Sequence, residues 1–472
     1  MQKQLRIICC LGLGALLAAC SSGGGDGPGI SGKVTFNGVP QAGVTVNMSG
    51  AMTASATTDS GGNYTVYGLK SGSYSVNPTQ AGYRFTPAAR PAVMNGGSLA
   101  GYDFTAAVAP PVTAVQLPRT GQTISYNAGD DGSMKKGTAW PYPRFVDNGA
   151  GAVTDKLTGL IWLRDAACIG KKSWPDALTA ANGLASGLCG LNDGSKAGDW
   201  RLPSVSELNS LLNAGLWSPA VGSLASEGNP ETLLFKGVAD YSYWSSTTSA
   251  ALGTQAWGVH FLLGLVTPSF KSIPFLVWPV RDGNATGAVT LARTGQSFSY
   301  AAGDDGYHQK GAAWPNPRFN DNGNGTVTDN LTRLVWMKDT NCLDAVGVVK
   351  RNRSTDYSVL KFTDTLKWVG ALSTGVCGLA DGSRGGDWRL PNRQEMQSLL
   401  DYSRFKPPLP SGHPFANIRP MGSWTSTALD CDSTGVIWFI HLDAGISNVT
   451  EHTASPLTTP QYYLWAVRDG AP

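Results

Sequence analysis

Between residues 30 and 106 apolar and polar positions alternate with a period of two. The stretches "ISGKVTFNGVPQAGVTVNMSG" and "TTDSGGNYTVYGLKSGSYSVNPTQAGYRFTP" carry the pattern, broken by glycine-rich turns. Successive side chains of a strand point to opposite faces, so this period predicts strands with one buried face each. Several such strands in sequence predict a β-sandwich. Its core is expected from Val34, Phe36, Val44, Val46, Tyr64, Val66, Tyr74 and Val76. Past "AVAPPVTAVQ" the pattern changes. Short apolar runs ("GLIWL", "YWSST", "AWGVHF", "VWPVR") alternate with longer glycine-rich polar stretches. Two segments have helical spacing instead. In the first, Ser173 stands at the N-cap with Asp176 three residues on, and Trp174, Ala177, Leu178 and Ala181 share a face. In the second, "GDWRLP" precedes Ser204 and Glu207, a capping-box pair, and Leu208, Leu211 and Leu212 form the apolar face.

The later pattern occurs twice. "PRTGQTISYNAGDDG" from Pro118 returns as "ARTGQSFSYAAGDDG" from Ala292, and "AWPYPRFVDNGAGAVTDKLTGLIWLRD" returns as "AWPNPRFNDNGNGTVTDNLTRLVWMKD". "GDWRLP" recurs with Asn392 and Glu395 as its capping pair and Met396, Leu399 and Leu400 as its apolar face. The first segments repeat at an offset of 174 and the hexapeptide at 188, so the second copy carries 14 extra residues between Cys342 and Cys377. The organisation read from these patterns is a leader (1–19), a tether (20–29), a β-sandwich (30–106), a linker (107–117), one module (118–282), a short linker (283–291) and a second module (292–470). The Trp of the hexapeptide is expected in the core, and its Arg on a local carboxylate.

Composition narrows the class. Charged residues make up 15% and hydrophobic residues 42%, with 59 Gly and 15 Trp, which fits compact turn-rich β domains and not a disordered chain. The net charge is +3, and Lys3 and Arg6 lie in the leader, so nothing global points to nucleic acid. The leader "MQKQLRIICCLGLGALLAAC" has a basic start, an apolar stretch shorter than the ~20 residues of a membrane span, and small residues before Cys20. Its "LAAC" resembles a bacterial lipobox. The resemblance implies cleavage before Cys20, acylation of Cys20 and anchorage in the lipid bilayer. Ser21, in place of Asp, favours the outer membrane, with the modules periplasmic or surface-exposed. In an oxidising compartment each module most simply closes its own bridge, Cys168–Cys189 and Cys342–Cys377. Paired free thiols are the alternative. Cys431 has no counterpart.

The order "TGQ…GDDG…RF.DNG.G.VTD..T.L.W", a helix, "DWRLP…EL..LL", "WSST" and a final "VR" resembles the Lcl C-terminal domain family of bacterial surface lipoproteins and collagen-like adhesins. The first copy departs from it at Ala150 and Ala152. The resemblance implies α+β modules distantly similar to C-type lectins and to formylglycine-generating enzymes. "TDSGGNYTVYGLKSGSYSV" resembles carboxypeptidase-regulatory-like, prealbumin-like sandwiches, which are commonly spacers. The expected fold class is therefore an all-β prealbumin-like sandwich followed by two α+β C-type-lectin-like modules.

Candidate chemistry is sparse. No G-x-S-x-G, H-E-x-x-H or Walker A motif occurs, and the five His are scattered. The formylglycine-generating relatives use a pair of active-site cysteines, whereas the repeated cysteines here bracket a loop, so no enzyme is expected. Asp321, Asn322, Asn324 and Asp329 in "DNGNGTVTD" offer short oxygen ligands suited to Ca²⁺, without the bidentate Glu of an EF-hand. A hairpin that satisfies its own backbone is the favoured reading, and no other cofactor is expected. Lys350, Arg351 and Arg353, in the longer loop of the second module, are the candidate contacts for an acidic glycan. The expected function is ligand binding at the envelope, through a glycan, for adhesion or matrix assembly. A structural role on another envelope protein is the alternative.

Overall fold

In a computed structural model, the described residues are 27–108, 114–216, 220–221, 234–342, 344, 346, 360–429, 436–450 and 462–470, apart from 81–82, 88, 285 and 444. They are mostly β-sheet with few helices, in two compact units, residues 1–109 and 110–472. No helix among them is long and apolar enough to cross a membrane.

The first unit contains two sheets. One joins Val39–Pro40, Ile30–Phe36, Phe104–Val108 and Tyr83–Thr86, with Asn63–Val66 also on Ile30–Phe36. The other joins Ala54–Thr57, Thr45–Gly50, Gly72–Thr79 and Arg90–Met94. The alternation read in the sequence places Val34, Val44, Val46, Tyr64, Val66, Tyr74 and Val76 in its core. Phe36 is only partly buried, at the margin, edge-on to Tyr83 at 5.3 Å.

In the second unit each module builds a four-stranded sheet. The first uses Phe145–Asp147, Ala152–Asp155, Ile161–Leu163 and Val280–Arg281, and the second Phe319–Asp321, Thr326–Asp329, Val335–Met337 and Val467–Arg468. Behind each lies the same aromatic cluster. Phe235 stands edge-on to Trp278 at 4.9 Å, and Phe415 edge-on to Trp465 at 4.6 Å. Such pairs contribute about 0.5–1.5 kcal/mol beyond the area they bury.

The two modules are joined within this unit. One eight-stranded sheet runs through both. Lys171–Lys172, Phe275–Leu276, Ser242–Thr248, Gln255–His260 and Leu265–Phe270 come from the first module, and Ser447–Thr450, Val436–His441 and Gly422–Leu429 from the second. The sheets join where Val266 pairs antiparallel with Ser447. Lysines line the outer strand of the first module, where charge discourages further strand addition. The segment between the modules is packed down as well. Val289 N–H donates to Leu157 O (2.8 Å), and a Cβ on Gly287 would lie 2.3 Å from the Thr158 carbonyl carbon. The larger apolar cluster of this unit draws on both modules, and a smaller one packs round Trp174 and Trp244 in the first.

Candidate functional site

The hexapeptide positions a buried ion network. Trp200 and Trp388 are fully packed in the core. Arg201 makes a two-pronged bond to Glu207 (2.7 and 2.6 Å) and reaches Asp282 at 3.0 Å. Arg389 does the same with Glu395 (2.6 and 2.7 Å) and Asp469 (2.9 Å). Burial opposes the charge on both guanidiniums, but the carboxylates prevail and raise their pKa above the ordinary value. Glu207 and Glu395 also complete the capping boxes of Val205–Ser210 and Arg393–Ser398. The Arg of the hexapeptide thus ties a helix start to the last strand of its module. The fourth member comes from the other module: Lys310 bonds Asp282 (2.5 Å) and Lys136 bonds Asp469 (2.6 Å).

The "TGQ…GDDG" arms complete the seam. Asp130 and Asp304 cap the short helices Asp131–Met134 and Asp305–His308. The next residue in each arm is buried and crosses over. Asp131 accepts from Thr120 in its own arm (2.5 Å) and from Thr427 of the second module (2.8 Å). Asp305 accepts from Thr294 (2.6 Å) and from Thr247 of the first module (2.7 Å). Each strand threonine in turn accepts a helix N–H, from Arg393 or Val205. Gln122 and Gln296 extend the exchange to the backbones of Ala428 and Thr248. Burial raises the pKa of Asp131 and Asp305 to about 6, against the opposing pull of the threonine hydroxyls. In the sequence "GDDG" stands out only as part of the repeat. The signal for its wider role was its repetition together with "TGQ" ahead of both modules.

Arg393 sits in this seam with 2% exposure and no counterpart in the first module, where Val205 occupies its place. It donates to Asn209 (3.0 Å), Gly264 O (2.8 Å) and Ser447 (3.2 Å), and its guanidinium lies 4.0 Å from the Trp438 ring centroid. Beside the seam a cleft of about 860 Å³ is lined by Lys136, Arg333, Glu395 and Asp469 among others. Arg333 has φ 64, in the left-handed region, where the first module has Gly159.

Cys168 is bonded to Cys189 and Cys342 to Cys377, each pair within its own module. Cys342, Asp344 and Cys377 form the one grouping of three metal-ligating side chains among the described residues, but both sulfurs are in the disulfide. The four oxygen-bearing residues of "DNGNGTVTD" do not converge. Asp321 bonds Lys338 (2.6 Å) and Gly323 N–H (3.0 Å) at the hairpin tip. Asp329 is buried on Arg318, Leu331 N–H and Thr332. Asn322 and Asn324 bond Thr326, and Asn322 also Thr328. Cys20, Lys350, Arg351, Arg353 and Cys431 lie outside the described residues.

The Lcl C-terminal domain matches residues 151–281 and again 325–468, more than half of the chain. The chain belongs to the Lcl C-terminal domain family, twice over. Both matched segments begin after the crossing arms. No curated protein matches it in sequence. Among solved structures, similarity is found to an N-terminal interface mutant of a type II cohesin–X–dockerin complex from Acetivibrio cellulolyticus, at 26% identity and TM-score 0.14 over 17% of this chain. The chain spans about half (53%) of that protein's length. A C-terminal interface mutant of the same complex matches at 19% identity and TM-score 0.15, over 24% of this chain and 88% of that one. A DUF4876 family protein from Bacteroides thetaiotaomicron matches at 13% identity and TM-score 0.14, over 38% and 44%. TM-scores of this size define no shared fold.

Proposed function

We propose that this is a lipoprotein of the outer membrane, acylated at Cys20, whose paired Lcl C-terminal modules bind a glycan for adhesion or matrix assembly. On this reading the first unit is a prealbumin-like spacer and the modules are lectin-like. One observation carries the binding reading. The repeated polar motifs, from "GDDG" to "WRLP", are engaged with one another across the seam. What is left to meet a ligand is what differs between the copies. Those differences include basic residues: Lys350, Arg351 and Arg353 in the longer disulfide-bounded loop, and exposed Arg333 in place of Gly159. Guanidinium forks recognise carboxylate and sulfate groups in pairs of parallel bonds. The test is retention of the full chain on immobilised heparin. Retention should weaken as salt rises, and Lys350→Ser/Arg351→Ser/Arg353→Ser should remove most of it without changing Tm. Retention untouched by the triple substitution would refute this assignment.

A further inference from the structure

Loop 401–415 of the second module folds round a cavity of about 430 Å³. Prolines 407, 408, 410 and 414 restrict its backbone. Three bonds fasten it to the body of the unit and to itself: Tyr402 N–H to Thr294 O (2.9 Å), Asp401 N–H to Pro408 O (2.9 Å) and Lys406 N–H to Asp443 O (2.8 Å). Ser403 donates its N–H and hydroxyl to Asp401 (2.9 and 2.5 Å). Such a loop is largely preorganised, which lowers the ordering cost of binding.

The lining is cationic. Arg404, Lys406 and His413 border the cavity together with Ser403, Ser411 and the exposed ring of Phe405, and no carboxylate does. Lys406 holds φ 52, a left-handed backbone that is unfavourable for a side-chain-bearing residue. Its ammonium has no ion-pair partner among the described residues. Arg404, 49% exposed, reaches Asp401 only at 3.5 Å. The Nδ1 of His413 is buried and takes no hydrogen bond among the described residues. Burial and the Arg404 charge hold the His413 pKa below its ordinary value, so Arg404 and Lys406 supply the positive charge at neutral pH.

We propose that this cavity binds a phosphate monoester, with Arg404 and Lys406 matching its two charges and Ser411 and His413 completing its hydrogen bonds. A phosphate monoester carries about −1.5 to −2 charges near neutral pH on three acceptor oxygens. Two cations on one open, concave loop suit such a compact group. A linear polyanion requires a row of cations, and this loop offers none beyond the cavity, where Asp401 and Asp443 lie instead. The site shares no residue with the basic loop at 350–353 and does not depend on the glycan reading, so either proposal can fail alone.

The experiment is calorimetric titration of the full chain with glucose 1-phosphate, with glucose as control, alongside sedimentation with phosphatidylcholine vesicles with and without phosphatidic acid. Glucose 1-phosphate should bind and glucose should not. Arg404→Gln/Lys406→Gln should weaken binding about tenfold or more. Both side chains are exposed, so Tm should hold, and Lys406→Arg should retain binding within roughly threefold. If the double variant also lowers sedimentation with phosphatidic acid vesicles, the phosphate is presented on a membrane. If it affects only the sugar phosphate, the ligand is soluble. Equal response to glucose and glucose 1-phosphate, or binding undiminished in the double variant, overturns the proposal.

Discussion

Two neighbouring aspartates in one motif do different work. Asp130 stays local and caps its helix. Asp131 meets Thr427, 296 positions away, which no local pattern encodes. Its burial, and that of Asp305, carries a pH signature. The ordinary pKa of 3.8 rises to about 6 in the fold. Between those values the folded chain holds protons that the unfolded chain has released. The stability this supplies is complete below the ordinary value and is lost as pH rises through about 6. Its size is at most about 3 kcal/mol per site, from ~1.4 kcal/mol per pKa unit. Asp131→Asn/Asp305→Asn keeps an oxygen that can accept from both threonines but does not titrate. The Tm of wild type minus that of the double variant should therefore fall from pH 4 to pH 7. A difference that is flat across this range would mean that neither carboxyl is held protonated in the fold.

At the scale of elements, strands and helix faces were legible because period is a local property. Leu208, Leu211 and Leu212 are buried as their spacing requires, and so are Trp174, Ala177, Leu178 and Ala181. Caps were less secure. The Ser173 hydroxyl makes no bond to the helix backbone and donates instead to Asp176 (2.6 Å). Ser204 does close its box, and there cap and ion pair separate cleanly. Ser204→Ala removes one backbone partner and should cost about 1 kcal/mol. Arg201→Ala leaves Glu207 buried without its cation and should cost about 3–5 kcal/mol. Urea unfolding of the two variants measures both. Equal costs would mean that the pair adds nothing to the cap. The four-residue arm helices and the continuity of the long sheet were not legible, since the first are too short to show a period and the second depends on one bridge between distant strands.

At the scale of the molecule, the repeat predicted two copies of one fold but not that they share a core. Duplication is visible in a sequence, whereas pairing between the duplicates rests on side chains far apart in the chain. Those side chains couple the modules. Each arm places a buried carboxylate on the other module's strand, each ion network takes a lysine from its neighbour, and Arg393 finds two of its acceptors, Asn209 and Gly264 O, in the first module. Separation would strip each of these groups of a partner, and a buried polar group left short of its bonds costs more than a lost surface contact. Residues 110–472 should therefore unfold as one cooperative unit, with residues 1–109 free to contribute a transition of their own. Scanning calorimetry of the full chain tests this through Thr427→Val. The substitution lies in the second module and removes a bond to an arm of the first. It should lower the larger transition by a few degrees as a whole, since roughly 1–2 kcal/mol is lost from a large unit. The calorimetric and van't Hoff enthalpies of that transition should stay equal. Resolution of the larger transition into two, only one of them moved by Thr427→Val, would show that the modules fold apart and that the shared sheet and crossing arms do not bind them into one unit.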